Sequence, residues 1–147
     1  MNLFKVLDIS ASALLAERQR AEVVTSNLAN AETTHTAEGG PYKRMHVVFG
    51  SHPMPQSGFA TTLASFTDMN AQGVGVDRVV QDGADPVRRF EPGHPDADAD
   101  GYVSYPAINP VEEMVDLMGA ARAYQLNASA VQSTKNMIQA SIDIIKS

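Results

Sequence analysis

The segment 96–101 reads Asp-Ala-Asp-Ala-Asp-Gly and is the part of the chain that most resembles a metal site. Carboxylates at alternate positions before a glycine form the first half of a calcium loop. The second half requires a glutamate at position twelve, which is Ala107 here, and Pro106 stands where a helix should begin. We interpret the segment as an acidic turn that leads into a strand at Tyr102, with a weak calcium contact as the alternative.

The other residue types that support metal binding or catalysis show no suitable spacing. The four histidines, His35, His46, His52 and His94, do not share a helical face or a strand face beside a carboxylate pair. There is no cysteine nucleophile and no Gly-x-Ser-x-Gly motif. The segment 39–44, Gly-Gly-Pro-Tyr-Lys-Arg, lacks the spacing of a phosphate-binding loop. We therefore predict no catalytic activity, no metal and no cofactor.

Two short basic pairs stand among acidic surroundings, at residues 43–44 and 88–89. We predict that they form rim contacts with acidic neighbours. The whole chain has 11 basic and 17 acidic residues and a net charge of -6, which argues against nucleic acid or an anionic membrane as the main partner.

The composition is that of a globular protein, with 44% apolar and 19% charged residues in 147. No apolar run approaches the roughly 18 residues that cross a bilayer, so we predict no membrane insertion. Asp8 interrupts the apolar N-terminal run, and Glu17 and Arg18 follow it, so this run is not typical of a cleavable signal peptide. Export, if it occurs, must use another route.

Glycine and proline divide the chain into three parts. Nine of the ten glycines and seven of the eight prolines lie in residues 32–108, which therefore cannot contain a long helix. Within it, segments 42–49, 74–80 and 102–105 have the character of short strands. We predict an α+β protein with an N-terminal helix in 1–31, a small β-rich and loop-rich middle in 32–108, and a C-terminal helix in 109–147.

The C-terminal helix has the strongest periodic pattern. Asn109 is a good N-cap, Pro110 suits the first helical position, and Glu112 suits the third. Apolar residues then recur in steps of three and four, interrupted only by Lys135. This heptad stripe comprises Met114, Leu117, Ala121, Tyr124, Ala128, Val131, Ile138, Ile142 and Ile145.

The N-terminal helix carries a weaker stripe of the same period and ends near Asn30. The stripe comprises Phe4, Leu7, Ala11, Leu14, Ala21 and Leu28. Two stripes of matching period predict that the helices pack as a coiled coil on each other or on other copies. A helix over 110–146 would be roughly 55 Å long, whereas a compact globule of this size is about 40 Å across. We therefore expect an elongated assembly component.

Several segments resemble those of flagellar axial proteins. Segments 9–14 and 26–34, Ile-Ser-Ala-Ser-Ala-Leu and Ser-Asn-Leu-Ala-Asn-Ala-Glu-Thr-Thr, are similar to the N-terminal signature of flagellar rod and hook proteins. Segment 39–44, segment 92–98 with Gly-Tyr-Val at 101–103, and segment 109–114 with Ala-Arg-Ala-Tyr at 121–124 resemble basal-body rod proteins of the C type. The resemblance covers nearly the whole chain. Residues 50–71 match least, and we assign them no role.

This resemblance implies a structural subunit of the proximal rod, part of the torque-transmitting drive shaft on the periplasmic side of the inner membrane. It implies export by the flagellar type III apparatus without a cleaved signal. The implied partners are the proximal B-type and F-type rod proteins, the distal rod protein, the membrane-ring adaptor and other copies of the chain. We predict an assembly interface formed by Leu7, Leu14, Leu28, Met114, Leu117, Tyr124, Val131, Ile138, Ile142 and Ile145.

Two other classes of function remain as alternatives. A soluble coiled-coil binding module or export adaptor would explain the helices but not the β-rich middle, and it would form a small stable oligomer. A calcium-dependent or metal-dependent secreted enzyme would depend on the aspartates of segment 96–101 alone.

Overall fold

The structure, a computed structural model, describes residues 3–53 and 72–146, with side chains described up to residue 144. Helix α1 spans Leu3–Ala29 and helix α2 spans Pro110–Lys146. The described residues between them form four strands: β1 Met45–Pro53, β2 Gln72–Gln81, β3 Val87–Phe90 and β4 Tyr102–Tyr105. The predicted α+β class is confirmed. Residues 54–71, most of the segment with no assigned role, lie outside the described residues.

An asparagine caps the start of α2, and another caps the end of α1. The side-chain amide of Asn109 accepts a hydrogen bond from the Val111 N–H at 3.0 Å, which satisfies one of the open donors at the start of α2. At the end of α1, the Asn30 side chain donates to the carbonyl of Ser26 at 2.9 Å. The predicted N-cap and the predicted end of α1 are therefore confirmed.

The middle of the chain forms two separate two-stranded sheets, β1 with β2 and β3 with β4. Strands β3 and β4 are antiparallel, with Val87 opposite Tyr105 and Phe90 opposite Tyr102. Strand β3 was missed in the sequence because its Val-Arg-Arg-Phe pattern lacks alternation. Strand β1 begins at Met45 and not at the predicted residue 42, because the backbone N–H of Tyr42 donates to the carbonyl of Thr33 at 3.0 Å and not to a neighbouring strand.

The chain divides into two compact units, and each contains part of both helices. The first unit comprises Met1–Gln19, Phe49–Asp77 and Ala120–Ser147. Its buried side chains are small or polar: Ser10, Ala16, Ala120 and Thr134. The Ser12 hydroxyl accepts a hydrogen bond from the Val74 N–H at 3.1 Å and so connects α1 to β2.

The second unit comprises Arg20–Val48 and Arg78–Gly119. Its buried side chains include those of Val24, Asn27, Val103, Tyr105, Pro106 and Glu113. Asn27 contacts Glu113, and Arg20 contacts Asp116. From the first of these pairs to the second, the residue number decreases on α1 and increases on α2, so the two helices run antiparallel in this unit. None of the helices among the described residues is long and apolar enough to span a membrane.

Candidate assembly interface

The predicted stripe on α2 remains largely accessible to solvent. Met114 is 48% exposed, Tyr124 45% and Ile142 40%. Leu117, Val131 and Ile138 are half-buried, and the side chain of Ile145 lies outside the described residues. A row of apolar residues that its own chain does not cover is a candidate contact surface for other subunits.

The predicted positions on α1 are more enclosed. Leu7, Leu14 and Leu28 are all half-buried. They lie next to the buried residues of α1 on the helix surface, so part of each side chain is accessible to a neighbouring subunit. Phe4, which belongs to the same predicted stripe, is 64% exposed.

Small and polar residues, and not the predicted apolar stripe, occupy the inward face of α2. Glu113, Ala120 and Thr134 are buried, and they follow one another in steps of seven and fourteen. The Thr134 hydroxyl donates to the carbonyl of Ala130 at 2.9 Å, so its burial leaves no unsatisfied donor. A hydrophobicity pattern does not detect a face of small and polar residues. At the start of α2 this face lies at Glu113, one residue before the predicted stripe residue Met114.

Asn27 is the centre of a buried polar cluster in the second unit. Its side-chain amide donates to the Met45 carbonyl at 2.8 Å and accepts from the Met45 N–H at 2.9 Å. It also donates to Glu113 at 3.0 Å and accepts from the Tyr42 hydroxyl at 3.1 Å. Two donors and two acceptor positions are therefore all used, as burial of an amide requires.

Glu113 is fully buried, and its charge is matched by Arg44. The Arg44 Nε donates to Glu113 Oε1 at 2.6 Å, and Nη2 lies 2.5 Å from the same oxygen. Asp116 extends the network, 3.8 Å from Arg44 and 3.4 Å from Arg20. The prediction that Arg44 forms a rim contact is wrong, because its guanidinium compensates a carboxylate that is removed from water.

The family-like segments found in the sequence meet through these contacts. Asn27 comes from segment 26–34, Tyr42 and Arg44 from segment 39–44, and Glu113 from segment 109–114. Segment 92–98 joins them, since the Thr34 hydroxyl donates to Asp96 at 2.6 Å. These segments are therefore structural: their polar side chains hold α1, β1 and the start of α2 in one arrangement.

The acidic segment forms a turn. The Asp98 carboxylate accepts from the N–H of Tyr102 at 2.8 Å and from that of Asp100 at 3.0 Å, and Gly101 has a φ of 79°. The Tyr102 N–H bond, together with the Arg88 guanidinium, holds the pKa of Asp98 below its ordinary value. Arg88 therefore pairs within its own chain and also lies 4.8 Å above the Tyr102 ring.

Three histidines each lie beside one aspartate, which the sequence pattern did not indicate, and the most distant of these contacts joins His94 Nδ1 to Asp96 at 3.9 Å. His46 Nε2 lies 3.1 Å from Asp82, and His52 Nε2 lies 2.8 Å from Asp77. The hydrogen bond from His46 is the main cause that lowers the pKa of Asp82. Among the described residues, no group of three or more histidine, aspartate or glutamate side chains could hold a metal ion.

Little in the sequence could have identified the polar cluster. Asn27 and Glu113 lie outside the predicted apolar stripes, so the periodic pattern assigned them no role. A pattern of hydrophobicity cannot distinguish a satisfied buried carboxylate from a solvated one. The usable signal was Arg44, whose guanidinium has the reach and geometry to pair with a carboxylate.

Two family models match the chain at its helical ends. The model described as "Flagella basal body rod protein" matches residues 7–34. The model described as "Flagellar basal body rod FlgEFG protein C-terminal" matches residues 99–144. Both matches include residues of the cluster around Asn27 and Glu113 or of the stripe on α2.

Curated relatives match the chain over nearly all of its length. "Flagellar basal-body rod protein FlgC" of Bacillus subtilis is 38% identical over 150 residues, which cover 99% of this chain and all of the relative. The protein of that name from Borreliella burgdorferi is 33% identical, with 99% of both chains covered. That from Escherichia coli O157:H7 is 40% identical over 138 residues, 94% of each chain.

Proposed function

The chain belongs to the flagellar basal-body rod protein family and is a structural rod subunit, and we propose that it assembles into the proximal rod through its two terminal helices. The observation that carries this proposal is the exposure of the apolar stripe of α2 at Met114, Tyr124 and Ile142. The fold of the single chain uses the polar face around Glu113 instead. The apolar stripe is therefore left for contacts with other subunits.

In this proposal the axial core consists of residues 1–31 and 109–147, and residues 32–108 form the outer part of the subunit. The interface comprises the predicted residues Leu7, Leu14, Leu28, Met114, Leu117, Tyr124, Val131, Ile138, Ile142 and Ile145. The buried cluster at Asn27 supports this division, since it fixes the start of β1 against both helices. The role of the subunit is to transmit torque by packing, without chemistry.

The partners and location follow from the same role. We propose that the subunit contacts other copies of itself, the B-type and F-type rod proteins, the distal rod protein and the membrane-ring adaptor. It would stand on the periplasmic side of the inner membrane, after export by the flagellar type III apparatus without a cleaved signal.

The proposal is tested by placing a charge on the exposed stripe. Tyr124→Asp and Ile142→Asp should each stop rod assembly and swimming, since the carboxylate would be buried between subunits. The unfolding free energy of the isolated chain should change by only about 0.5 kcal/mol, the range for exposed positions. Export, followed as protein recovered outside the cytoplasm, should continue.

Ser133→Asp is the matched control, since Ser133 is exposed on the opposite side of α2 from the stripe. It should leave swimming unchanged. Normal rods in both stripe variants would refute the assignment of this stripe to the interface.

A further inference from the structure

The hairpin of β3 and β4 exposes a large aromatic ring. Phe90, the last residue of β3, is 63% exposed, and Tyr102, opposite it on β4, is 40% exposed. The two rings make an edge-to-face contact with their centroids 5.3 Å apart. The proposed assembly interface lies on the two helices, so it leaves this aromatic pair without a role.

The backbone beside Phe90 is shaped to hold the ring in place. Gly101 has a φ of 79°, a conformation that favours glycine. A Cβ added there would lie 3.0 Å from Cε2 of Phe90 and 3.2 Å from the Cβ of Pro92. The Phe90 ring therefore lies against the Gly101 backbone as well as against Tyr102. A ring held in this way loses little conformational entropy when a partner covers it.

Arg88 completes the same face of the hairpin. Side chains alternate between the two faces of a strand, so Arg88 and Phe90 share a face. The Arg88 guanidinium lies 4.8 Å above the Tyr102 ring and pairs with Asp98. We call this surface, formed by Arg88, Phe90, Asp98 and Tyr102, the Phe90 face. Aromatic and arginine side chains in a fixed arrangement are the types that contribute most to binding at protein interfaces.

The charge around the Phe90 face is acidic. Residues 85–102 contain five acidic and two basic residues, so their net charge of -3 is half that of the whole chain. Arg88 is already paired with Asp98. Asp100, whose N–H donates to Asp98, is exposed in the same turn. The face therefore favours a partner with positive charge.

We propose that the Phe90 face is a docking surface for a different protein, one with an apolar pocket for the Phe90 ring and lysine or arginine at the rim of that pocket. This inference rests on the proposed function, since we expect the partner in the same basal body.

A second copy of this chain does not fit that description. The chain is itself acidic, with a net charge of -6. Each of its two adjacent basic pairs also has one arginine held in an internal ion pair, Arg44 with Glu113 and Arg88 with Asp98. The charge of the Phe90 face therefore selects a basic partner and not another copy.

The Phe90 face is small for an interface. Its few residues are well below the roughly 20 to 30 on each side of a stable binary complex. In an assembled rod, several copies of the subunit would present this face at a fixed spacing, and simultaneous contacts with one partner strengthen one another. We therefore expect the contact within basal bodies.

Photo-crosslinking in basal bodies tests the contact. The photoreactive amino acid p-benzoylphenylalanine would replace Phe90 in a strain with no other source of the subunit, and purified basal bodies would be irradiated. Mass spectrometry of the crosslinked peptides then identifies what covers position 90. The expected result is one protein other than this chain, attached through an apolar segment that has lysine or arginine close by. The same replacement at Asp100 should capture the same protein.

Val87 gives the matched control. It lies on the same strand as Phe90 and is 47% exposed, but its side chain is on the opposite face of the hairpin. The photoreactive residue at position 87 should capture little or none of that protein.

Charge reversal tests the positive rim of the pocket. With the photoreactive residue at position 90, D100K should lower the crosslinking yield about two- to fivefold, as for the loss of an exposed ion pair. E38K makes the same change in net charge at an exposed position outside the hairpin and should leave the yield unchanged.

The outcomes separate this inference from the function on which it rests. The docking surface is wrong if the subunit is present in basal bodies but position 90 captures nothing, a second copy of the chain, or a segment without basic residues. Equal capture from positions 87 and 90, or an unchanged yield in D100K, would also contradict it. If the subunit is absent from basal bodies, the rod function itself fails, and this inference fails with it.

Discussion

At the residue scale, the fold depends on a charge that the solvent does not reach. Glu113 is fully buried and has the Arg44 guanidinium and the Asn27 amide as partners. Buried ion pairs contribute little net stability relative to apolar residues, but removing one partner is severe because the other charge is left uncompensated. The cluster therefore acts as a constraint on which segments meet.

Arg44→Met should destabilise the chain by about 3–5 kcal/mol, since it leaves the Glu113 carboxylate buried without its cation. Chemical denaturation followed by circular dichroism measures this change. The double variant R44M with E113M removes both charges and should recover most of the loss. Equal destabilisation of the single and double variants would show that packing, and not the charge of Glu113, is what Arg44 supplies.

The acidic turn predicts a pH dependence. The Tyr102 N–H and Arg88 hold the pKa of Asp98 below its ordinary value, so the folded state favours the carboxylate. This stability is present above the unfolded pKa of about 3.9 and is lost as pH falls through the lower folded pKa. Asp98→Asn keeps an oxygen acceptor but does not titrate.

The Asp98→Asn variant should therefore be less stable than the wild type at pH 7, and the difference should shrink below about pH 4. Unfolding free energies of both proteins measured from pH 2 to 7 test this. Parallel curves over the whole range would show that the Asp98 charge makes no contribution.

At the element scale, the helices were largely predictable and the strands only partly. Asn109 and Pro110 mark the start of α2 in the sequence, and the observed helix follows them to Lys146. Strand β3 forms only through its pairing with β4, a long-range contact that a local pattern cannot reveal. Hydrophobic periodicity likewise located the apolar stripe of α2 but not the polar face that packs inside the chain.

Asn109→Ala tests the cap of α2. The Val111 N–H would lose its acceptor, and the loss of such a cap costs about 0.5–2 kcal/mol. Asn109→Asp, which keeps an oxygen at the same position, should remain close to the wild type. The midpoints of thermal unfolding of the two variants and the wild type test this prediction. An unchanged midpoint for Asn109→Ala would show that the Asn109 cap does not stabilise the protein.

At the scale of the whole molecule, sequence and fold indicate an assembly component. The family and the α+β class were predicted from separated motifs and are confirmed by the relatives and by the element order. The internal role of those motifs was not predictable, because it arises from side chains of segments far apart in the chain, such as Asn27 and Glu113.

The central claim is that the chain is a fixed structural part of the rod. Quantitative mass spectrometry of purified hook-basal bodies from the source organism tests it most directly, by comparing the amount of this chain with that of the other rod proteins. A constant ratio across preparations is the predicted result. Absence from the basal bodies, with the protein recovered in the cytoplasm as a small oligomer, would contradict the claim and favour an export adaptor.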